Sequence, residues 1–212
     1  MKKITLFIFL IVINHTLEAQ IEKYPKGIYM SFQEVIDKSP SENFTVELEK
    51  RSQGKIKMNG GNDYQLNPVK KNVEKKFLKR EVYAYSNGTD LFLNSFKHDL
   101  QFWYSKVEGE NDKYFVFNAG IPMNMKKYGI ESSDISIMFG GIIAGFSAAK
   151  RALIRLPYLM NKNTKKVILV SEKNIQELMS ESTDLIGEYE KEVKKDNVVT
   201  LTKYLLKWIN EK

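Results

Sequence analysis

His98 followed at once by Asp99 is the pair of side chains best suited by type to proton transfer, an imidazole beside a carboxylate. Neighbours on the chain do not make a triad, because nucleophile, base and orienting acid are defined by their arrangement in space. The nearest serine with glycine before it, in Gly145, Phe146, Ser147 and Ala148, lacks the flanking pattern of a nucleophile elbow. The chain has no cysteine and two histidines. One of them, His15, falls in an N-terminal leader, so the remainder holds no multi-histidine metal site and no chemistry built on Cys and His. His98 therefore reads as an exposed loop residue, and no cofactor is expected. Carboxylates are plentiful, but a two-carboxylate hydrolase depends on a spatial separation of roughly 5 to 10 Å that spacing along the chain does not reveal. No acidic pair is nominated.

Positive charge offers a second kind of chemistry. Lys70, Lys71, Lys75, Lys76, Lys79 and Arg80 precede Tyr83 and Tyr85, and cations interleaved with aromatics suit a polyanion. Glu74 and Glu81 interrupt the run and no nucleic-acid module surrounds it, so nucleic acid is not an expected partner; the run reads first as a solvated charged surface, with anionic envelope polymers or lipid headgroups as its functional counterpart. A third feature runs from Asp134 through the apolar residues 135–149, with Gly140, Gly141 and Gly145, to Lys150 and Arg151. It is about five residues short of a usual membrane span. It also lacks the Gly-Lys-Ser/Thr ending of a phosphate loop. The reading is a buried strand or bent element, with a partner-binding or membrane-contacting edge as its functional counterpart. Asn43 with Thr45 and Asn87 with Thr89 match glycosylation sequons, and neither is assigned a modification, Asn87 already having a turn to make.

These residues need elements to hold them. Gly27 to Met30 reads as a short strand, and Ser31 with Glu34 as a capping box for a helix ending before Pro40, with Phe32, Val35 and Ile36 inward. Phe44, Val46 and Leu48 alternate as in a half-buried strand, followed by a turn-rich stretch at Gly54, Gly60 and Gly61. Asn67 and Pro68 open a short helix carrying Val69, Val73 and Phe77. Asn87-Gly88 between Val82–Ser86 and Thr89–Leu93 predicts a two-residue hairpin. Its register pairs Ala84 with Leu91 and Val82 with Leu93 on one face, and Tyr83 with Phe92 on the other. A second hairpin runs from 102–104 through Gly109 and Asp112 to 114–117. A third joins 152–160 to 166–170, where Pro157 pushes its strand toward an edge or bulge. After that, Ile175, Leu178 and Met179, then Leu185, Tyr189 and Val193, then Val198, Leu201, Leu205 and Trp208 fall at helical spacing. Strands first and helices last predict an α+β domain, an antiparallel sheet built from hairpins with C-terminal helices packed on one face.

The N-terminus has a basic start at Lys2 and Lys3, an apolar run Ile4 to Ile13, and a cleavage region at Leu17, Glu18 and Ala19. Residues 1–19 are therefore expected to be a signal peptide cut between Ala19 and Gln20, leaving residues 20–212 as a single exported domain. The whole chain carries a formal charge of +7, and loss of Lys2, Lys3 and Glu18 leaves +6. Without cysteines, packing alone must hold the domain together.

The Ala19–Gln20 junction, the stretch YAYSNGTDLFLN from Tyr83 to Asn94 and the stretch SDISIMFGGIIAGFSAAKR from Ser133 to Arg151 resemble uncharacterised exported proteins of Bacteroidota. The resemblance implies a periplasmic or extracellular location and no catalytic residues. The leading expectation is a non-enzymatic binding or assembly module meeting an envelope protein or an anionic envelope polymer. Tyr83, Tyr85 and Phe92 of the sheet, with Lys150 and Arg151, are its candidate contact residues. The alternatives are an exported hydrolase using carboxylates and a protein bound peripherally to anionic membrane.

Overall fold

A computed structural model describes residues 23–42, 44–69, 73–128 and 147–212. The expected cleavage site at Ala19 and Gln20 and most of the Gly-rich stretch lie outside the described residues. The strands are β1 Gly27–Tyr29, β2 Val46–Lys50, β3 Tyr64–Pro68, β4 Ala84–Ser86, β5 Leu91–Asn94, β6 Tyr104–Glu110, β7 Tyr114–Ala119, β8 Leu156–Asn161 and β9 Val167–Leu169. The helices are α1 Phe32–Ile36, α2 Gln53–Asn59, α3 Lys75–Arg80, α4 Ala148–Arg151, α5 Glu172–Leu178, α6 Thr183–Tyr189 and α7 Val198–Glu211. All strand pairs are antiparallel, in the order β1-β4-β5-β6-β7-β8-β9, and the β2–β3 hairpin joins β6 at the pair Tyr64 and Tyr104. The fold is the expected α+β, with α7 packed on β6, β7 and β8.

Two cores form because both faces of the sheet are apolar. Ala84, Leu91 and Leu93 meet Phe115, Phe117, Leu201 and Leu205 in one cluster. Tyr85, Phe92 and Tyr104 meet Leu66 and Leu78 in the other, so β3 and α3 cover the face opposite α7. The long helix α7 reaches the sheet at Gly109, where an added Cβ would stand 2.3 Å from Leu206 Cδ2. Gly109 is thus a close-packing residue inside β6, beside a bulge at Val107–Gly109, and not part of a turn. The turn is made by Asn111, whose side chain accepts from the backbone N–H groups of Lys113 and Tyr114.

The Asn-Gly hairpin forms with a register two residues from the expected one: Ala84 pairs with Leu93, Tyr85 with Phe92 and Ser86 with Leu91. The loop is four residues because Asn87 Oδ1 accepts from the N–H groups of both Thr89 and Asp90, at 2.9 and 2.7 Å, pulling Thr89 out of the strand. Ahead of Ala84 the alternation breaks. Asn94 gives its backbone N–H to Tyr83 O and its side-chain Nδ2 to Val82 O, so two residues face one. Val82 consequently joins the α3 core, while Tyr83 packs with the other.

Ser31 caps α1 and accepts from Glu34 N, as expected, but Ile36 is exposed where the helix stops at Asp37. Gly54 lies in a helix, α2, capped by Ser52. Asn67 and Pro68 end β3 instead of opening a helix, which starts later, at Lys75; Val69 is exposed. Strand β8 is interior, flanked by β7 and β9. Pro157 is tolerated there because its nitrogen faces the β9 side beyond the last β9 pair, Tyr158 with Leu169, where its carbonyl accepts from Val170 N. Val193 is exposed in the connection between α6 and α7.

Candidate functional site

The segment Asp99–Trp103 is the most constrained stretch of backbone described. Asp99, Gln101 and Trp103 all have positive φ, at 59°, 75° and 74°. Such a cluster of non-glycine residues in the left-handed region costs energy and needs surroundings that enforce it. Asn62 enforces it. This fully buried side chain donates to Leu100 O at 2.7 Å and Phe102 O at 3.2 Å, and accepts from Gly120 N at 2.6 Å. Its own N–H donates to Phe102 O. Gly61 lets the two chains meet: at φ +85°, a Cβ there would lie 2.9 Å from Trp103 Cδ1 and 3.0 Å from Phe102 O.

This clamp lays Phe102 and Trp103 beneath the cations of α3. Lys79 Nζ lies 3.7 Å from the Phe102 ring centre and 5.4 Å from that of Trp103, and Lys75 Nζ lies 5.5 Å from Trp103. Arg80 sits 5.7 Å from the rings of Phe96 and Phe102, which are themselves stacked. Ring faces carry negative quadrupole density and hold cations at this distance. Arg51, Lys55, Asn59, Gln65, Lys75, Lys79 and Trp103 line a groove of about 390 Å³.

The charge in this groove is poorly compensated. Lys55 is paired with Glu49, but no ion pair holds Lys75, Lys79 or Arg51 among the described residues. Arg51 is only 6% exposed, donates to the carbonyls of Gly60 and Asn62 at 2.8 Å each, and leaves Nε without an acceptor among the described residues. Two carboxylates act on it electrostatically and both are engaged elsewhere: Asp63 at one oxygen by Arg155 Nε and Nη2, at 3.0 and 2.7 Å, and Glu49 by Lys55, Gln65 and Asn67. Burial, and then the neighbouring Arg80, Arg51 and Lys75, pull the Lys79 ammonium below its ordinary pKa. Burial followed by Arg155 does the same to Arg51. An anion entering the groove would relieve both.

The chain belongs to DUF6563, a family of unknown function. The family model matches residues 27–212, so it takes in every element described above. No curated protein and no solved structure matches the chain. DUF6563 membership therefore brings no residue roles with it, and the site rests on its geometry.

The five residues singled out in the sequence fall in three places. Tyr85 and Phe92 pair across β4 and β5 and are buried, and Tyr83 is held by Phe32 and His98, so these rings shape the sheet from within. Lys150 and Arg151 are exposed on α4, and Arg151 lines a separate cavity of about 380 Å³ whose wall includes Gly61, Gln101 and Gly120. Of the basic run, Lys75, Lys79 and Arg80 are brought together over aromatics, although the aromatics are Phe96, Phe102 and Trp103, not the tyrosines that follow in sequence. Arg51 and Asn62 gave no sequence signal, since both act through backbone carbonyls distant along the chain.

His98 is buried, correcting the exposed-loop expectation. Its Nε2 lies 3.2 Å from Tyr83 Oη, and Tyr128 Oη donates to its carbonyl. Burial, then the charge of Lys127, outweighs the opposing Asp99 and lowers its pKa to about 4, so the imidazole is neutral at neutral pH. Asp99 points elsewhere, to Lys127 Nζ at 2.6 Å, which separates the two members of the apparent pair. Two carboxylates that line other grooves, Glu110 and Glu181, are held below the ordinary carboxylate pKa. Burial works to raise Glu110, but hydrogen bonds from Lys162 and Tyr24 prevail and lower it, and Lys212 lowers Glu181. A general acid needs the opposite shift, which burial gives to Glu108 on β6.

Proposed function

We propose that this protein is a non-catalytic binding module acting outside the cytoplasm, and that it holds an anionic envelope polymer in the groove between α3 and Phe102–Trp103. The observation that supports this reading is that Arg51, Lys75 and Lys79 have no ion-pair partner among the described residues, with Lys75 and Lys79 held over the aromatic rings of a strained loop. Like charges gathered at a surface cost stability through mutual repulsion, and a bound polyanion removes that cost. Phe102 and Trp103 fix the ammonium groups in place, so less side-chain freedom is lost on binding. The signal peptide expected over residues 1–19 and the absence of cysteine from the sequence are consistent with an exported chain held by packing alone.

The test is binding of dextran sulfate to the protein, with neutral dextran as control, at low and high salt. Wild type should bind the sulfated polymer only, and more weakly as salt screens the charges. Lys75→Ala with Lys79→Ala should weaken binding by about tenfold, equivalent to roughly 1.4 kcal/mol. Equal binding by the double variant, or tighter binding to anionic vesicles than to the polymer, would overturn the reading.

A further inference from the structure

We propose that the outer edge of β9 and the groove beside it form a docking surface for an extended, carboxylate-bearing segment of a partner protein, which adds to the sheet as a further strand. The backbone geometry settles which groups are available. Val170 N donates to Pro157 O and Asn161 N donates to Lys166 O, so residues 166, 168 and 170 direct their backbone groups toward β8. With a two-residue period, Val167 and Leu169 direct theirs away from it. Leu169 O is taken by Asn174 Nδ2 at 2.8 Å. Among the described residues Val167 N–H, Val167 C=O and Leu169 N–H have no partner, and β9 is the last of the described strands in the sheet order. Unpaired groups at that spacing are the template for strand addition.

A groove of about 850 Å³ runs along this edge, lined by β9, the α5 residues Asn174 and Leu178, Tyr114 and Trp208. Trp208 packs on Tyr114 with ring centres 5.3 Å apart and is 5% exposed, yet its Nε1–H has no acceptor among the described residues. A buried donor left unmet costs free energy, which an acceptor from the groove would recover on displacing the side chains that close over the indole nitrogen. Of the charged residues in the lining, Lys212 pairs with Glu181 and Lys127 with Asp99, which leaves Lys113 and Lys166 against Glu177. Donors thus outnumber acceptors both on the edge and around it, which fits a partner strand bearing carboxylates. A second copy of this chain fits poorly, since pairing two β9 edges would set two lysine-bearing linings side by side without bringing the missing carboxylates.

The experiment uses a short synthetic peptide alternating threonine and valine with aspartate at each end, and a lysine-ended version as control. Amide hydrogen exchange of the full chain is followed with and without each peptide. The aspartate peptide should slow exchange at Val167 and Leu169 by about tenfold, and the lysine peptide should not. Val167→Pro, which removes an outward N–H and spares the β8 ladder, should abolish the effect. Trp208→Phe, which keeps the packing and removes the indole donor, should weaken binding several-fold even if the proline variant does not fold. No slowing by the aspartate peptide, or binding unaltered in both variants, overturns the proposal. So does protection of these amides in the protein alone, which would mean that the edge is already covered, or protection that grows with protein concentration, which would assign it to a second copy.

Discussion

His98 should make the protein acid-sensitive in a way that a single substitution removes. Its pKa falls from the ordinary 6.5 to about 4 because the ring is buried beside Tyr83 and feels Lys127 more strongly than Asp99. The unfolded chain therefore binds a proton near pH 6.5 while the folded chain resists it. The destabilisation is absent above that pH, begins as pH falls through it, and is complete below pH 4. With each tenfold difference in proton affinity worth about 1.4 kcal/mol, the loss is about 2 kcal/mol at pH 5 and about 3 kcal/mol near pH 4. The comparison is wild type against His98→Gln, whose amide reaches toward the Tyr83 hydroxyl without titrating. Urea unfolding at pH 7.5 and 5.0 gives the change in stability for each. The variant starts lower at pH 7.5 from imperfect packing, but its further loss on acidification should be smaller than that of wild type by about 2 kcal/mol. Carboxylates that titrate over the same range affect both proteins and cancel in the difference. Equal losses would refute the claim that His98 is buried and neutral.

Asn62→Ala removes two hydrogen bonds that hold 99–103 and a third to Gly120, and should cost about 3 kcal/mol in urea unfolding, with a change in tryptophan emission as Trp103 loosens. Gly61→Ala forces a side chain into a positive-φ position 2.9 Å from Trp103 Cδ1 and should cost about 2 kcal/mol, read as a lowered thermal midpoint. Gly109→Ala puts a methyl against Leu206 and should cost about 1 to 3 kcal/mol, with partial recovery when Leu206→Ala is added, the coupling being measured by a double-mutant cycle.

Local patterns in the sequence determined the α+β class, the hairpins, the Ser31 cap and the C-terminal helices, because each depends on residues within a few positions of one another. Asn87-Gly88 marks a turn wherever it occurs, and the apolar spacing of Leu201, Leu205 and Trp208 marks one helical face. The hairpin register was beyond that reach: Asn87 can cap two amides or none, and only the side-chain hydrogen bonds to Thr89 and Asp90 select the four-residue loop. The alternation fails at Val82 and Tyr83 because Asn94 binds both carbonyls, a contact that propensity does not encode.

The candidate site divides in the same way. A basic run was visible at Lys75, Lys79 and Arg80, but its aromatic floor comes from Phe96, Phe102 and Trp103, and its buried cation from Arg51. Asn62 joins the two by hydrogen bonds to carbonyls of residues 100 and 102, and every residue has a carbonyl, so nothing in the sequence distinguishes these partners. His98 shows the limit most plainly. Residue type and an adjacent Asp99 suggested an exposed polar pair, whereas the left-handed turn at Asp99 sends the carboxylate to Lys127 and the imidazole into the interior. Burial and charge compensation are sums over neighbours contributed by distant segments, so only the tertiary structure decides them.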